Sequence, residues 1–126
     1  MSTGSIISTH RLDNGLEIIF LDQSKQIAAD RWYVRVSVQM NIPIEKKWFH
    51  DHPVDDLKLA DIRQLLGDTV LFEHKNERNF VSADEKDKII ESFCDHAMET
   101  TIQYLGHHDF AAKYILKRYT EKTRQL

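Results

Sequence analysis

Hydrophobic and polar residues alternate most regularly between positions 31 and 42, RWYVRVSVQMNI. Trp32, and then every second residue as far as Ile42, is apolar, while the positions between them are mostly polar. Strict alternation of this kind indicates a β-strand with one face in the core and the other in water. Pro43 has no N–H to donate to a neighbouring strand, so we expect the strand to end there.

Two apolar stretches before this strand, residues 5–12 and 16–22, are joined by Asp13, Asn14 and Gly15. Asn-Gly supplies the positive φ angles that a tight primed turn requires. We therefore expect the two stretches to pair as a β-hairpin.

A fourth strand is predicted for residues 69–74, in which Val70 and Phe72 fall on one face. The segments on either side of the strands carry turn-forming and charged residues. We interpret residues 23–29 as a connector and residues 75–79, KNERN, as a polar turn.

The longest predicted helix covers residues 82–105. Ser82 with Glu85 three positions later matches a capping box, and Gly106 stands where a left-handed C-terminal cap is favoured. The residues on its less polar side are Ile89, Ile90, Phe93, Cys94, Ala97, Thr101, Tyr104 and Leu105. We expect the rest of the chain to pack against this side, and the core truncation Phe93→Ala to cost ~3–5 kcal/mol.

Two shorter helices are predicted on either side of the fourth strand and the long helix. Asp55 can cap a helix over residues 56–66 that stops at Gly67. Asp109 can cap a last helix from residue 110 to about residue 122. The link between the long helix and the last one is so short that the two should form an αα-hairpin.

The predicted order of elements is ββ-β-α-β-α-α. Strands followed by helices favour an α+β fold. We expect an antiparallel sheet of about four strands, packed by the long helix and a C-terminal αα-hairpin, in a single domain spanning residues 1–126.

Composition narrows the function classes. A net charge of −3 argues against general nucleic-acid binding, and no apolar run approaches the ~20 residues of a membrane span. Cys94 is the only cysteine, which excludes an internal disulfide, and its position on the apolar side of a helix indicates an inert core thiol. These features favour a cytoplasmic setting.

Histidines provide the first candidate site. His50 and His52 flank Asp51, and in an extended loop their rings point the same way. His107 and His108 form a second cluster at the turn before the last helix. If the clusters meet, these five residues could bind zinc or another divalent metal; the alternative is that they are solvated loop and turn residues.

The polar face of the third strand provides a second candidate. Arg31, Tyr33 and Arg35 could recognise a small anion. The alternative, which we favour, is that they pair across strands with acidic neighbours such as Glu17 or Glu73.

Apolar residues outside the predicted core suggest contacts with a protein partner. Trp48 and Phe49 stand beside two lysines, which is typical of a binding hot spot. The favoured alternative is that both rings cover an edge of the core. Met98 and Ile102, together with open sheet edges, suggest a homodimer.

Two short segments resemble known families. Residues 9–22, with VRVSV at 34–38, resemble the first strands of insulinase-type zinc peptidases, whose activity requires a His-x-x-Glu-His helix that this chain does not contain. Asp22 and Ser24 resemble the Asp-x-Ser element of PilZ domains, which implies cyclic-dinucleotide binding. The chain departs from that pattern, with Ile27 in place of a glycine and no preceding Arg-x-x-x-Arg.

No catalytic set follows from the sequence. It contains neither a Gly-x-Ser-x-Gly elbow nor a glycine-rich phosphate loop. We therefore expect a non-enzymatic binding or protein-interaction module that needs no cofactor. The alternative is a metal-assisted hydrolase using the two histidine clusters, and a more remote one is a cyclic-dinucleotide or other anion-binding domain.

Overall fold

The computed structural model describes residues 4–125, which form an α+β fold. The strands are β1 (Ser5–Arg11), β2 (Glu17–Asp22), β3 (Lys25–Ala28), β4 (Arg31–Pro43) and β5 (Thr69–Ser82); the α-helices are α1 (Asp56–Leu66), α2 (Lys86–Leu105) and α3 (Phe110–Thr123), and a 3₁₀ helix covers Lys46–Phe49. The predicted antiparallel sheet and C-terminal helix pair are confirmed, and the sheet has five strands.

Strand β4 is the centre of the sheet. Strand β2 pairs with its middle part on one side, and β5 pairs with its whole length on the other. Because β2 leaves the first residues of β4 without a neighbour, Lys25 and Gln26 pair there with Tyr33 and Trp32. The interpretation of residues 23–29 as a connector is therefore wrong, since they contain strand β3.

Strand β5 is longer than its hydrophobic pattern predicts. The segment interpreted as a polar turn, residues 75–79, belongs to the strand, where Lys75 lies opposite Ser37 and Glu77 opposite Arg35. Backbone pairing with the long strand β4 extends this polar segment, although it carries no apolar face of its own.

The predicted hairpin of β1 and β2 is confirmed, but its turn is wider than a primed turn. Gly15 has φ of 87°, whereas Asn14 does not adopt positive φ. The loop is closed by the N–H of Leu12, which donates to the carbonyl oxygen of Leu16 at 2.8 Å.

The core lies between the apolar face of the sheet and the helices. Its largest fully buried apolar side chains come from β2, from β4 and the residue after it, and from all three α-helices: Ile18, Phe20, Val34, Val36, Val38, Met40, Ile42, Ile44, Ile62, Leu105 and Ile115. Helices α1 and α3 contact each other and the end of the sheet where β5 begins. The opposite face of the sheet carries the polar residues of β4 and, from β5, Glu73, Lys75 and Glu77.

Helix α2 differs from its prediction at both ends. It begins at Lys86, because Ser82 is the last residue of β5 and pairs with Arg31, so no capping box forms. It ends at Leu105 as expected, but Gly106 has φ of −85° and no left-handed cap. Of the predicted apolar side only Ala97 and Leu105 are buried, while Tyr104 is 64% exposed.

Helices α1 and α3 lie where the sequence predicts them. The Asp55 carboxylate accepts a hydrogen bond of 2.8 Å from the N–H of Lys58, and Gly67 follows α1 with φ of 91°. In α3, Phe110, Ala111, Ala112 and Ile115 are buried. Within residues 4–125, no helix is long and apolar enough to cross a membrane.

Candidate functional site

Three loops meet at one end of the sheet: the hairpin loop 12–16, the segment 46–52 and the turn 106–109. We call this region the three-loop corner. Asn14 joins two of the loops, because its side-chain amide donates to the carbonyl oxygen of Leu105 at 2.8 Å while its Oδ1 accepts from the N–H of Leu16 at 3.1 Å. The hairpin loop thereby supplies a donor to the last carbonyl group of α2, which no later residue of the helix can reach.

Gly106 allows the hairpin loop to approach the turn. A Cβ at this position would lie 3.5 Å from Cβ of Leu12 and 3.3 Å from the carbonyl oxygen of Ile102. The added atom would therefore touch the hairpin loop at van der Waals distance and crowd the carbonyl group of Ile102.

The predicted histidine clusters meet through His52 and Asp109. Nε2 of His52 lies 2.7 Å from Oδ1 of Asp109, and the two side chains are only 20% and 18% exposed. Nζ of Lys113, one turn into α3, lies 3.4 Å from the other carboxylate oxygen. Because an ionised carboxylate only accepts hydrogen bonds, Nε2 of His52 carries the hydrogen. The hydrogen bond from His52 holds the pKa of Asp109 below its usual value.

A cleft of about 260 Å³ opens at the three-loop corner. Its lining combines both histidine clusters with an aromatic wall: Asn14, Lys47, Trp48, His50, Asp51, His108 and Asp109. Nζ of Lys47 lies 4.8 Å from the centre of the Trp48 ring and 3.4 Å from a carboxylate oxygen of Glu45. The cleft therefore presents one lysine, two histidines and two aspartates within a small volume.

The five predicted metal ligands do not converge on one point. Within residues 4–125, no group of three or more histidine, cysteine, aspartate or glutamate side chains is arranged to hold a metal ion. Nε2 of His52 is engaged by Asp109, and Nδ1 of His107 accepts the backbone N–H of Asp109 at 3.2 Å. The residues as placed do not fit a divalent ion.

Trp48 and Phe49 are not the exposed pair that a hot spot requires. They are 9% and 4% exposed and belong to the core, and Nε1 of Trp48 donates to the carbonyl oxygen of Pro43 at 2.8 Å. The alternative, that both rings cover an edge of the core, describes their position. An indole whose N–H finds a backbone acceptor can be buried at little cost.

The residues Arg31, Tyr33 and Arg35 lie on the helix-free face of the sheet, away from the three-loop corner. The Tyr33 hydroxyl donates to Glu77, which raises the pKa of Tyr33. Nη1 of Arg31 lies 3.0 Å from Oδ2 of Asp30, and Arg35 faces Glu77 across the strands.

The favoured alternative holds in part: Tyr33 pairs across the strands with Glu77, not with Glu17 or Glu73, whereas the acid beside Arg31 is its sequence neighbour Asp30. Nε of Arg35 is buried without a hydrogen-bond partner among the described residues.

The sequence did not identify Asn14 as a residue of the cleft, and it placed Asp109 and Lys47 only as neighbours of the predicted sites. Asn14 and Asp109 were assigned to a turn and to a helix cap, and Lys47 to a loop. Asn14 does stand in the hairpin loop, whereas Asp109 precedes α3 without capping it, because its carboxylate accepts no hydrogen bond from a backbone N–H of the first turn and contacts His52 instead. Their convergence depends on loops that are far apart in the chain, for which a single sequence contains no signal.

Comparisons with known proteins do not assign this chain to a family. No protein-family model, no curated protein and no solved structure matches this chain. The resemblances to zinc peptidases and PilZ domains therefore depend on their short motifs alone, and the function has to be argued from the chemistry of the three-loop corner.

Proposed function

We propose that this protein binds a small anion, with a carboxylate or phosphate group, in the cleft at the three-loop corner, and that it does so without catalysing a reaction. The observation that carries the proposal is the 2.7 Å contact between His52 and Asp109, which brings both histidine clusters to one cleft.

The hydrogen-bond donors of the cleft support binding of an anion. The carboxylate of Asp109 is compensated by His52 and Lys113, which leaves Asp51 as the uncompensated acid. Lys47 brings an ammonium group to the cleft, where it also lies 3.4 Å from Glu45, and His50 and His108 add imidazole groups that can donate hydrogen bonds to an anion. The N-terminus of α3 adds the positive end of a helix dipole on the same side.

The lining of the cleft supports binding without catalysis. None of its lining residues is a serine, threonine or cysteine that could act as a nucleophile. The one thiol of the chain, Cys94, lies on α2, and burial raises its pKa, so it is not a reactive thiolate. A single, half-buried cysteine also supports the proposal of a cytoplasmic setting.

The proposal predicts phosphate binding that depends on two histidines. In a nuclear magnetic resonance titration with inorganic phosphate, the indole N–H signal of Trp48 should shift and saturate. The double variant His50→Gln, His108→Gln should bind phosphate about tenfold more weakly, because a charged hydrogen bond contributes on the order of 1.5 kcal/mol.

The matched control is His96→Gln, which changes an exposed histidine on α2 and should bind phosphate as the unmodified protein does. The proposal is wrong if neither phosphate nor acetate produces a saturable shift of the Trp48 signal. It is also wrong if the double variant and the control bind equally well.

A second candidate is the metal-assisted hydrolase that uses His50, Asp51, His52, His107 and His108. It is favoured by one observation, the contact between the loop of His52 and the turn before α3. It requires side chains of the cleft to turn toward a common ion. Elemental analysis of untagged protein should then find a stoichiometric metal that is lost in His50→Ala, and finding no metal would eliminate this candidate.

A further inference from the structure

Strand β5 has a neighbour on one side only. It pairs along its length with β4, and within residues 4–125 no strand pairs with its other edge. With 14 residues it is the longest strand of the sheet. A long open edge presents a row of N–H and C=O groups on which another strand can pair.

The outward-facing backbone groups of β5 belong to its odd-numbered residues. The carbonyl oxygen of Leu71 faces away from β4, because it accepts the Tyr114 hydroxyl of α3 at 3.2 Å. At the other end, the backbone of Arg35 in β4 bonds to Gln23 and Ser24 on its far side, so its cross-strand neighbour Glu77 also directs its backbone groups outward. Alternation along the strand then assigns the same direction to Glu73 and Lys75.

Charge alternates along these outward positions. Glu73, Lys75 and Glu77 follow one another at a spacing of two, so their side chains share one face of the strand. The Tyr114 hydroxyl already occupies the edge at Leu71, and a register shift interrupts the pairing with β4 beyond Arg78. The regular open edge is therefore the segment 73–77.

We propose that a second copy of this chain pairs antiparallel with this segment, so that Lys75 of each copy lies opposite a glutamate of the other. A two-fold axis at His74 places Glu73 opposite Lys75, and an axis at Asn76 places Glu77 opposite Lys75. Both join outward-facing residues, as a hydrogen-bonded antiparallel pair requires. An axis at Glu73, Lys75 or Glu77 would instead place that residue opposite its own copy, with like charges in contact.

This surface differs from the one expected from the sequence. Met98 is 42% exposed, whereas Ile102 is half-buried and packs on the core, so the two residues do not form an outer patch on α2. The β5 edge carries the self-association instead, through main-chain hydrogen bonds and complementary charges. The proposed dimer is independent of the anion site at the three-loop corner.

The test uses an all-acidic and an all-basic edge. Lys75→Glu leaves three glutamates at positions 73, 75 and 77, and the double variant Glu73→Lys, Glu77→Lys leaves three lysines. Size-exclusion chromatography with light scattering should give twice the 14.8 kDa chain mass for the unmodified protein at high concentration. Each variant alone should dimerise at least about tenfold more weakly, because like charges then face each other in any register.

An equimolar mixture of the two variants should recover a particle of twice the chain mass. A general loss of stability cannot produce that recovery. The matched control, Lys88→Glu on the exposed surface of α2, makes the same charge change and should dimerise as the unmodified protein does.

Glu73 also accepts hydrogen bonds from Ser37 and Gln39, so the double variant could lose stability. The second variant is therefore Lys75→Pro, which removes one outward N–H and keeps the glutamates, and it should be monomeric. A 14.8 kDa particle for the unmodified protein at high concentration would overturn the proposal, as would a mixture of the two charge variants that stays monomeric.

Discussion

Helices α2 and α3 lie side by side and are buried to very different extents. Helix α2 has 20 residues, of which Ala97 and Leu105 are buried, whereas four of the 14 residues of α3 are buried. The longer helix is thus the more superficial one. Its neighbour occupies the space over the end of the sheet, in contact with α1.

The contacts along each helix explain the difference. Helix α3 is held at three levels, by His52 at Asp109, by the Tyr114 hydroxyl on the Leu71 carbonyl, and by the Tyr119 hydroxyl on Asp61 of α1. Its buried alanines, 111 and 112, let the backbone come close to its neighbours.

Helix α2 packs on the core through a narrow side that includes Cys94, Ala97 and Ile102, and further contacts hold its two ends. Nζ of Lys86 lies 4.1 Å from the centre of the Trp32 ring, and Asn14 donates to Leu105. Between these ends most of its side chains are exposed. The depth of a helix in this fold is therefore decided by the elements packed around it, and its own length or apolar content is a poor guide.

The largest effect on the free energy of unfolding should come from replacing an apolar side chain with alanine, and it should be much larger in α3 than in α2. Ile115→Ala, in a fully buried position of α3, should cost about 2–5 kcal/mol, because it leaves a cavity in the core. Phe93→Ala on α2 should cost only about 1 kcal/mol, because this ring is half-buried and one of its faces meets the guanidinium of Arg78. Denaturant titrations of both variants measure the two costs.

Two milder substitutions allow the same comparison if Ile115→Ala does not fold. Ile115→Val should cost about 0.5–1.5 kcal/mol and still exceed any effect of Met98→Ala, an exposed position on α2. Equal losses for Ile115→Ala and Phe93→Ala would show that the two helices are equally buried. The expectation from the sequence, a loss of ~3–5 kcal/mol at Phe93, would then be correct.

The sequence predicted features that depend on neighbouring residues and did not predict those that depend on distant contacts. The alternation in β4 and the Asp55 cap of α1 are local features, and both were predicted correctly. Ser82 and Glu85 carry an equally good local signal, but Ser82 is drawn into β5 by its pairing with Arg31. A contact between residues so far apart in the chain is not expressed in the pattern of either segment.

In the candidate site, too, local features were predictable and long-range contacts were not. His50, Asp51 and His108 were singled out by residue type, and they do line the cleft. Their apolar neighbour Trp48 was also singled out, and its burial depends on the core that forms beneath it. Residues that can bind or react are recognisable in a sequence by their type, whereas the tertiary structure decides which of them line a cleft.

A smaller effect should distinguish the true helix cap from the apparent one. Asp55→Ala removes the hydrogen bond to the N–H of Lys58 and should cost about 1 kcal/mol. Ser82→Ala should change the stability by less than about 0.5 kcal/mol, because this serine caps no helix. Thermal or denaturant unfolding compares the two variants, and a larger loss for Ser82→Ala would restore the capping box.

The smallest effect concerns the contact that fixes the start of α3. The pKa of Asp109 is lowered in the folded protein by the hydrogen bond from His52. A lowered pKa contributes stability above the ordinary carboxylate value of about 3.9, and the contribution is lost as the pH falls through the lowered value. Asp109→Asn should therefore be less stable than the unmodified protein near neutral pH, and the difference should shrink as the pH falls below about 4.

The matched control for this prediction is Asp51→Asn, which changes an exposed carboxylate of the same corner that makes no hydrogen bond or ion pair with the described residues. Its stability should follow that of the unmodified protein at every pH. Denaturant titrations near neutral pH and below pH ~4 would measure both differences. A deficit of Asp109→Asn that stays constant with pH would show that this carboxylate fixes α3 by packing and not by its charge. The ion pair with His52 would then not explain why the first turn of α3 is held more firmly than α2.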